Sequence, residues 1–312
     1  MADSLESLYH QCKLCPRTCK ANRSLGRRGY CGASDTLRIA RAALHEWEEP
    51  GISVGAGSGA VFFSSCPLRC IFCQNYEIAE ENFGEVISTG RLAAIFLELQ
   101  QQGAANINLV TPTHFVPHII QALDKAKEHG LQLPIVYNTS GYESPETLAL
   151  LDGYVDIYLT DYKYENPSIA ARYSKAFDYP VVIKRALKQM VEQTGPLIVN
   201  PYGEDDQRIE KGVIVRHLLL PTHLEDSKAV IAYVQNTYGS QVRLSIMNQY
   251  TPLRTFSKMP ELNQTVSAEE YEELLDFADN LGVEEYFWQE GGANKESFVP
   301  FFNKKGVFGK EI

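Results

Sequence analysis

The chain has 312 residues, of which 44% are hydrophobic and 22% are charged, a balance that supports a large core and excludes an intrinsically disordered protein. Its net charge of −10 at pH 7 argues against a general nucleic-acid-binding surface. No apolar run approaches the ~20 residues of a membrane-spanning helix, and residues 1–11 lack a signal-peptide pattern, so we expect a cytoplasmic protein without a membrane partner.

The first predicted unit is a cysteine-rich extension, residues 1–50. It contains four cysteines in C-x2-C-x3-C-x11-C spacing, namely Cys12, Cys15, Cys19 and Cys31. In a reducing compartment clustered thiols indicate metal binding or catalysis rather than disulfides, and four thiolates suffice to close a metal site. The spacing matches neither a paired zinc ribbon nor a ferredoxin run. It therefore predicts a second metal site and leaves open whether zinc or an iron–sulfur cluster occupies it.

Two charged stretches of this extension each allow two interpretations. Residues 12–31 are basic and contain no acid. They either offset the negative charge of a thiolate-ligated metal or form a solvated basic face. Residues 45–49, His-Glu-Trp-Glu-Glu, either clasp the extension onto the rest of the protein or form a solvated acidic turn.

From residue 51 to residue 288, short apolar runs alternate with amphipathic segments. The runs predict strands at residues 60–63, 106–110, 134–137, 155–159, 213–220 and 242–246. The amphipathic segments predict helices at residues 89–102, 117–128, 145–151, 181–193, 227–238 and 268–281. This alternation indicates the α/β class and a parallel sheet, in the form of a partial (βα)6 TIM-like barrel. Residues 289–312 are predicted to be a tail that packs on the open side of the barrel or on a partner.

The remaining three cysteines directly follow the first predicted strand, in C-x3-C-x2-C spacing. Cys66, Cys70 and Cys73 can hold three irons of a cubane cluster and leave the fourth iron open to a small-molecule ligand. Two alternatives remain. The cysteines are either buried thiols that happen to be close, or they bind zinc, although a structural zinc site normally takes four ligands.

Polar residues follow several of the predicted strands, where the reactive groups of a barrel collect. The candidates are Thr111, Thr113, His114, Asn138, Thr139, Asp161, Lys163 and Gln249. Arg216 lies within an apolar strand, and because an unpaired buried guanidinium is costly we expect it to face a ligand. Lys163 is either a ligand of a cofactor carboxylate or a plain salt-bridge partner of Asp161. His114 and His118 have the i, i+4 spacing of a metal pair but lack a third ligand, so we expect an active-site role for His114 alone.

The three-cysteine loop resembles that of the radical S-adenosylmethionine (radical SAM) superfamily. The surrounding chain is similar to the branch related to pyruvate formate-lyase activating enzyme, and the N-terminal cysteine segment resembles that of AMMECR1/Memo-associated radical SAM proteins. The resemblance implies a [4Fe-4S] cluster on Cys66, Cys70 and Cys73, with S-adenosylmethionine (SAM) on the fourth iron. It further implies reductive cleavage of SAM to a 5′-deoxyadenosyl radical, which abstracts hydrogen from a substrate that the sequence does not identify.

The resemblance also implies roles for single residues. Phe72 stands at the aromatic position near the adenine, and Asn75 matches an asparagine two residues past the last cysteine. Asp161 and Lys163 match an Asp-x-Lys motif that is associated with a monovalent cation and with the methionyl end of the cofactor. Arg216 matches an arginine in a similar strand. Lys163, Arg216 and His114 are the candidate catalytic residues.

The chain departs from the activating enzyme at two strand ends. Residues 111–114, Thr-Pro-Thr-His, replace a Gly-Gly-Glu that holds the amino group of the cofactor, which leaves this contact to the hydroxyls of Thr111 and Thr113 or to the imidazole of His114. Asn138 and Thr139 replace an Asp-Thr pair. We therefore expect a cation site with one negative charge less.

The sequence thus predicts an oxidoreductase-type radical SAM enzyme with flavodoxin or ferredoxin as the reductant. It either activates a glycyl-radical partner protein or modifies a small molecule or a peptide. The alternative is a non-catalytic iron–sulfur or zinc scaffold, or an electron carrier. A zinc-dependent hydrolase is disfavoured, because the sequence lacks the histidine and carboxylate set that such an enzyme requires.

Overall fold

A computed structural model describes residues 5–204, 206–290 and 300–312. The strands are β1 Arg38–His45, β2 Ser58–Phe63, β3 Glu85–Val86, β4 Ile107–Val110, β5 Ile135–Thr139, β6 Ile157–Asp161, β7 Ile198–Tyr202, β8 Asp206–Leu218, β9 Val242–Met247 and β10 Tyr286–Phe287. The α-helices are α1 Tyr76–Ala79, α2 Thr89–Gln101, α3 Val116–Glu128, α4 Pro145–Ala149, α5 Pro167–Ser174, α6 Tyr179–Thr194, α7 Leu224–Tyr238 and α8 Ala268–Asn280.

A mostly parallel sheet forms the centre of the molecule, with strand order β10-β9-β8-β6-β5-β4-β2-β1-β3. The pairs from β2 to β10 are all parallel, whereas β1 and β3 continue the sheet in antiparallel fashion. The edge strands β10 and β3 do not pair with each other in the described residues, so the sheet is not closed. The predicted α/β class with a partial TIM-like barrel is confirmed.

Helices α2, α5 and α8 begin at side-chain caps that the sequence provides. Ser88 caps α2 by accepting a hydrogen bond from the backbone N–H of Arg91, and Ser267 and Glu270 form a capping box at α8. The apolar face of α2 is fully buried, as its period of 3.6 residues predicts. None of the helices in the described ranges has the length and apolarity to cross a membrane.

The sheet contains strands that hydrophobic patterning did not predict. Strand β8 begins at Asp206 rather than at residue 213, because its first half forms an antiparallel hairpin with β7. This hairpin is largely exposed and polar, so backbone pairing holds it and no apolar run marks it. Strand β1 lies within the predicted extension and pairs with β2 along its length.

The antiparallel direction of β1 brings the following loop to the bottom of the barrel. His45, the last residue of β1, pairs with Ser58, the first residue of β2. Residues 46–57, here called the floor segment, therefore cross the amino-terminal ends of the parallel strands. Ile52 is buried among apolar side chains of β5, β6 and β8, and its carbonyl accepts a hydrogen bond of 2.8 Å from Asn106 Nδ2. The floor segment closes the barrel at the end opposite to the three cysteines.

The C-terminal residues 300–312 pack on the outer edge of β1. The backbone N–H of Lys304 donates to the carbonyl of Ala40 at 3.0 Å, and that of Ala42 donates to the carbonyl of Lys305 at 2.8 Å. The buried guanidinium of Arg91 donates to the carbonyls of Gly306, Val307, Phe308 and Lys310. These bonds pair the free edge of β1 with the chain's own tail. The rest of the predicted tail, residues 291–299, lies outside the described residues.

Candidate functional site

The three-cysteine loop, residues 64–75, follows the carboxyl end of β2 and leads into α1. Cys66, Cys70 and Cys73 all line one cavity of about 430 Å³. Two residues of the loop that are not glycines, Ser65 and Arg69, have left-handed backbone with φ of 79° and 56°. Such strain costs about 1–3 kcal/mol per residue and persists only where surrounding contacts impose it. The loop is therefore held in one shape by its surroundings.

Part of that support comes from Arg17 in the N-terminal extension. Its guanidinium donates to the carbonyls of Pro67, Leu68 and Ser174 at 3.1, 3.2 and 2.8 Å. The first two carbonyls belong to the three-cysteine loop and the third ends α5. At least this basic residue of the stretch 12–31 thus joins the extension to the loop rather than facing solvent alone.

Asp161, Lys163 and Arg216 form an ionic group beside the cysteines at the mouth of the barrel. Asp161 ends β6 and pairs in register with Arg216 of β8. Arg216 Nε donates to Asp161 Oδ1 at 2.9 Å, and Lys163 Nζ lies 2.7 Å from Asp161 Oδ2. Burial alone would raise the pKa of Asp161, but the two cations outweigh it, and the pKa is lowered. Asp161 is therefore an ionised bridge between two fixed cations.

Arg216 also spans the position for which the resemblance implies a bound cation. Its Nη2 donates to Asn138 Oδ1 at 2.6 Å while its Nε binds Asp161. The guanidinium thus occupies the space between the ends of β5 and β6. Lys163 pairs with Asp161 and also lines the cavity, and its role toward the cofactor carboxylate stays a prediction.

Sequence reasoning missed Glu48 and Glu49, which belong to the floor segment and line the same cavity. Glu48 Oε2 lies 3.6 Å from Arg216 Nη1, and Glu49 Oε1 lies 3.8 Å from Arg216 Nε. Burial raises the pKa of Glu49 to about 7 even though Arg216 opposes this shift. The acidic turn is therefore buried at Glu48 and Glu49, whereas Glu46 is exposed. The only signal in the sequence is that residues 46–57 offer no basic residue to pair with these glutamates.

Most of the predicted cofactor-binding residues share this cavity with the cysteines. Those that line it are Phe72, Asn75, Thr111, Asn138, Asp161, Lys163, Arg216 and Gln249. The ring of Phe72 contacts Tyr164, Tyr173 and Tyr250 edge-on, with centroids 6.0–6.4 Å apart. Edge-to-face packing of this kind fixes the ring, so the wall beside Cys73 is rigid.

Thr113, Thr139 and His114 do not line the cavity. Both threonine hydroxyls donate to Oε1 of the fully buried Glu143, Thr113 at 2.6 Å. His114 Nε2 lies 2.7 Å from the carbonyl oxygen of Ser64, and burial lowers the pKa of the imidazole to about 3. The structure thus bonds these three side chains to other buried groups, outside the cavity that the three-cysteine loop lines.

The model of the Radical SAM superfamily matches residues 60–212, the part of the chain that supplies the three cysteines and strands β2 to β7. This part of the chain belongs to the radical SAM superfamily. Its cofactors are accordingly a [4Fe-4S] cluster and SAM.

The chain is also similar to a relative and to solved structures over most of its length. The chain is 27% identical to an uncharacterized protein from Methanocaldococcus jannaschii, over 89% of this chain and 77% of that protein. A radical SAM methyltransferase from Sphaerobacter thermophilus has the same fold, with a TM-score of 0.51, 14% identity, and coverage of 76% of this chain and 68% of that one. SuiB from Streptococcus suis, solved with SAM, aligns with a TM-score of 0.48 and 12% identity, over 75% of this chain and 50% of SuiB.

The chemistry of the three cysteines fits the cluster of a radical SAM protein. Burial raises the pKa of Cys66 to about 11 and also raises the pKa values of Cys70 and Cys73. Buried thiols ionise when a metal supplies the positive charge. Ser174 Oγ donates to Cys70 Sγ at 3.1 Å, the kind of outer contact that orients a ligand. In the described residues, no group of three or more His, Cys, Asp and Glu side chains converges on a point for a single ion, whereas a cluster holds each thiolate on a separate iron.

The N-terminal cysteines form a second group in the extension, although no three of them converge on a point for a single ion among the described residues. Cys12, Cys15 and Cys31 are buried and Cys19 is exposed. A Cβ placed on Gly29 would lie 3.3 Å from Cys19 Sγ and 3.5 Å from Cys31 Sγ, so these two sulfurs approach one point. Burial raises the pKa values of Cys15 and Cys31. The metal that this group holds stays a prediction.

The fully buried Arg23 packs against the N-terminal cysteine group. Its Nη1 lies 3.7 Å from Cys12 Sγ and donates to the carbonyl of His114 at 2.7 Å, while its guanidinium lies 4.5 Å from the ring centroid of Tyr9. A buried cation beside thiolates stabilises their negative charge. Arg23 thus connects the second cysteine group with the end of β4.

Glu143 gives a prediction about pH. Its pKa is raised by burial from 4.5 to about 7, so the folded chain binds this proton more tightly than the unfolded chain. The stabilising contribution is complete below pH 4.5 and is lost as the pH rises through about 7. We expect Glu143→Gln to stabilise the protein by roughly 3 kcal/mol at pH 8 and by only about 1 kcal/mol at pH 5.5. Urea unfolding of the reconstituted protein at both values measures this difference.

The exposed Glu146, three residues further on, is the matched control. Glu146→Gln removes one carboxylate without releasing a buried charge, so its unfolding free energy should follow that of the wild type at both pH values. Equal effects of the two substitutions at pH 8 would show that Glu143 is not buried as an ion.

Proposed function

We propose that the protein reductively cleaves SAM at a [4Fe-4S] cluster held by Cys66, Cys70 and Cys73, and abstracts hydrogen from a substrate in the adjoining cavity. The single observation that carries this proposal is that the three cysteines line one cavity with the Asp161–Lys163–Arg216 group. When bound, the cofactors supply one-electron cleavage of the sulfonium bond, with methionine and 5′-deoxyadenosine as the products after hydrogen transfer.

The residues of the cavity have two tasks, to bind the polar groups of the cofactor and to position its aromatic base. The Lys163 ammonium and the Arg216 guanidinium bind and orient carboxylate and hydroxyl groups of the cofactor, because both cations are held in place by Asp161. The rigid face of Phe72 positions an aromatic base, and the neighbouring Asn75 adds a polar contact.

The floor segment excludes water from the reaction. A reactive carbon-centred species must meet its substrate before it meets solvent or another hydrogen donor. Ile52 and the apolar side chains around it close the end of the barrel below the ionic group. Substrate therefore enters from the open side of the incomplete barrel, whether it is a small molecule, a peptide or a glycyl-radical loop of a partner protein.

The electron donor in this proposal is an acidic flavodoxin or ferredoxin. Lys13, Lys20, Arg27 and Arg28 are exposed on the extension, which Arg17 ties to the three-cysteine loop. Because the chain as a whole has a net charge of −10, this basic surface is a local exception. Charge complementarity steers an acidic partner toward it and thus toward the cluster.

A cleavage assay tests the proposed function. Protein that has been reconstituted anaerobically with iron and sulfide, reduced with dithionite and mixed with SAM should release 5′-deoxyadenosine. The iron content and the cluster absorbance are measured on the same sample. A protein with an intact cluster that binds SAM and yields no 5′-deoxyadenosine would instead support the scaffold or electron-carrier alternative.

A further inference from the structure

The floor of the cavity carries two glutamates to which the proposed function gives no task. Glu48 and Glu49 enter the barrel from the end opposite to the three-cysteine loop. Their side chains are only 9% and 8% exposed. Buried carboxylates are costly unless a cation or several hydrogen bonds compensate them.

The compensation that these glutamates receive is incomplete. In the described part of the chain, Arg216 is the only basic side chain within 4 Å of either one, at 3.6 and 3.8 Å. Its short hydrogen bonds, of 2.9 and 2.6 Å, go to Asp161 and Asn138 instead. One guanidinium therefore serves three carboxylates, and it binds the two glutamates least closely.

Two buried oxygens at the floor still lack partners, because the hydrogen bonds from Asn138 Nδ2 to Glu48 Oε2 at 3.5 Å and from Ser245 Oγ to Glu49 Oε1 at 3.4 Å are long and reach other atoms. Glu49 Oε2 makes no hydrogen bond with any described residue, and the Asn108 amide donates to Glu48, which leaves Asn108 Oδ1 without a donor. Asn108 is fully buried on β4 and lies on the same strand face as Val110, which lines the cavity. Since buried polar groups are nearly always paired in native proteins, these oxygens indicate a ligand with N–H donors.

Charge and shape favour a cation over a neutral donor. Among the described residues that line the cavity, four are acidic and two are basic, namely Glu48, Glu49, Asp161 and Glu290 against Lys163 and Arg216. The rings of Phe287 and Trp288 form part of the wall. Aromatic faces attract ammonium and guanidinium groups, by about 0.5–2 kcal/mol each.

We propose that the substrate carries an ammonium or guanidinium group and that Glu48 and Glu49 bind this group at the floor of the cavity. The cationic nitrogen donates to Glu49 Oε2 and to the side-chain oxygen of Asn108, Oδ1. It supplies the positive charge that Arg216 alone does not provide for three carboxylates. The group is thereby anchored below the cofactor, and the rest of the substrate is directed toward the cysteines. This inference rests on the proposed function, because it names the class of molecule on which that chemistry acts.

Binding of simple cations tests the inference separately from the chemistry. Reconstituted holoenzyme saturated with SAM is titrated with n-butylammonium and n-butylguanidinium by calorimetry, with n-butanol as the neutral probe of the same shape. The cations should bind at least tenfold more tightly than n-butanol. Glu49→Gln should weaken cation binding at least tenfold and leave SAM binding unchanged, and Glu48→Gln should act in the same direction.

The matched control is Glu46→Gln, because Glu46 is exposed in the same segment and does not line the cavity. Equal binding of the cations and n-butanol to the wild type, which requires no variant, overturns the inference. So does a Glu49→Gln protein that loses SAM affinity but retains cation affinity, since the glutamates would then serve the cofactor. Failure of 5′-deoxyadenosine release with normal cation binding counts against the proposed function alone.

Discussion

Replacing Cys70 by serine is expected to reduce 5′-deoxyadenosine formation to below about 1% of the wild-type rate, because loss of outer contacts alone already costs metal sites 10–100-fold. Cys70 is the most buried of the three cysteines and accepts a hydrogen bond from Ser174. A serine hydroxyl is a poor ligand for iron compared with a thiolate. We expect the triple variant of Cys66, Cys70 and Cys73 to lose about four irons per chain and the charge-transfer absorbance of a cluster.

The control for this experiment is the upstream cysteine group. A variant of Cys12, Cys15, Cys19 and Cys31 should retain the irons of the three-cysteine loop, and elemental analysis of the triple variant shows whether zinc or iron remains on the upstream thiolates. Retention of SAM cleavage by the triple variant would contradict the proposed function. Loss of all iron from the upstream variant alone would place the cluster in the extension.

Replacing Arg216 by methionine is expected to destabilise the folded protein by about 3–5 kcal/mol at pH 8, since removal of one partner leaves buried charges uncompensated. Asp161, Glu48 and Glu49 all depend on this guanidinium. Without it, the raised pKa values of Glu48 and Glu49 rise further in the folded state, and the lowered pKa of Asp161 rises as well. A raised pKa means that stability is present at low pH and lost as the pH rises, so the deficit should shrink between pH 8 and pH 6.

Denaturant unfolding of the reconstituted proteins measures both effects. The control is Arg172→Met, because Arg172 is 47% exposed and pairs with Glu261 at the surface, where an ion pair contributes under about 1 kcal/mol. The double variant Arg216→Met with Glu49→Gln should recover part of the loss at pH 8, since one uncompensated charge has been removed. A deficit that is the same at pH 6 and pH 8 would show that Arg216 acts through packing and not through charge.

Local chemistry in the sequence was sufficient for much of the fold and for the core of the site. The six predicted strands and six predicted helices are present, with ends displaced by a few residues except at the start of β8. The spacing of Cys66, Cys70 and Cys73 is a property of one loop, and Asp161 and Lys163 lie two residues apart at a strand end. The sequence predicts such features because residues that are close in the chain are here also close in space.

Distant contacts decided the rest. His114, Thr113 and Thr139 lie at strand ends as active-site residues do, yet bonds to Ser64 and the buried Glu143 hold their side chains outside the cavity. No periodicity reveals which way a residue beyond a strand end will turn. That direction depends on the partner which other segments bring to it.

Glu48 and Glu49 are the opposite case, since the structure places them in the cavity although the sequence did not predict them there. The sequence by itself determined a radical SAM barrel with a three-cysteine loop at the carboxyl ends of its strands. Only the tertiary structure decided that β1 runs antiparallel and delivers Glu48 and Glu49 to the opposite end, beneath Arg216. The physical reason is that the direction of a strand depends on which distant segment it pairs with. Hydrophobic periodicity and the spacing of ligands are properties of one continuous segment.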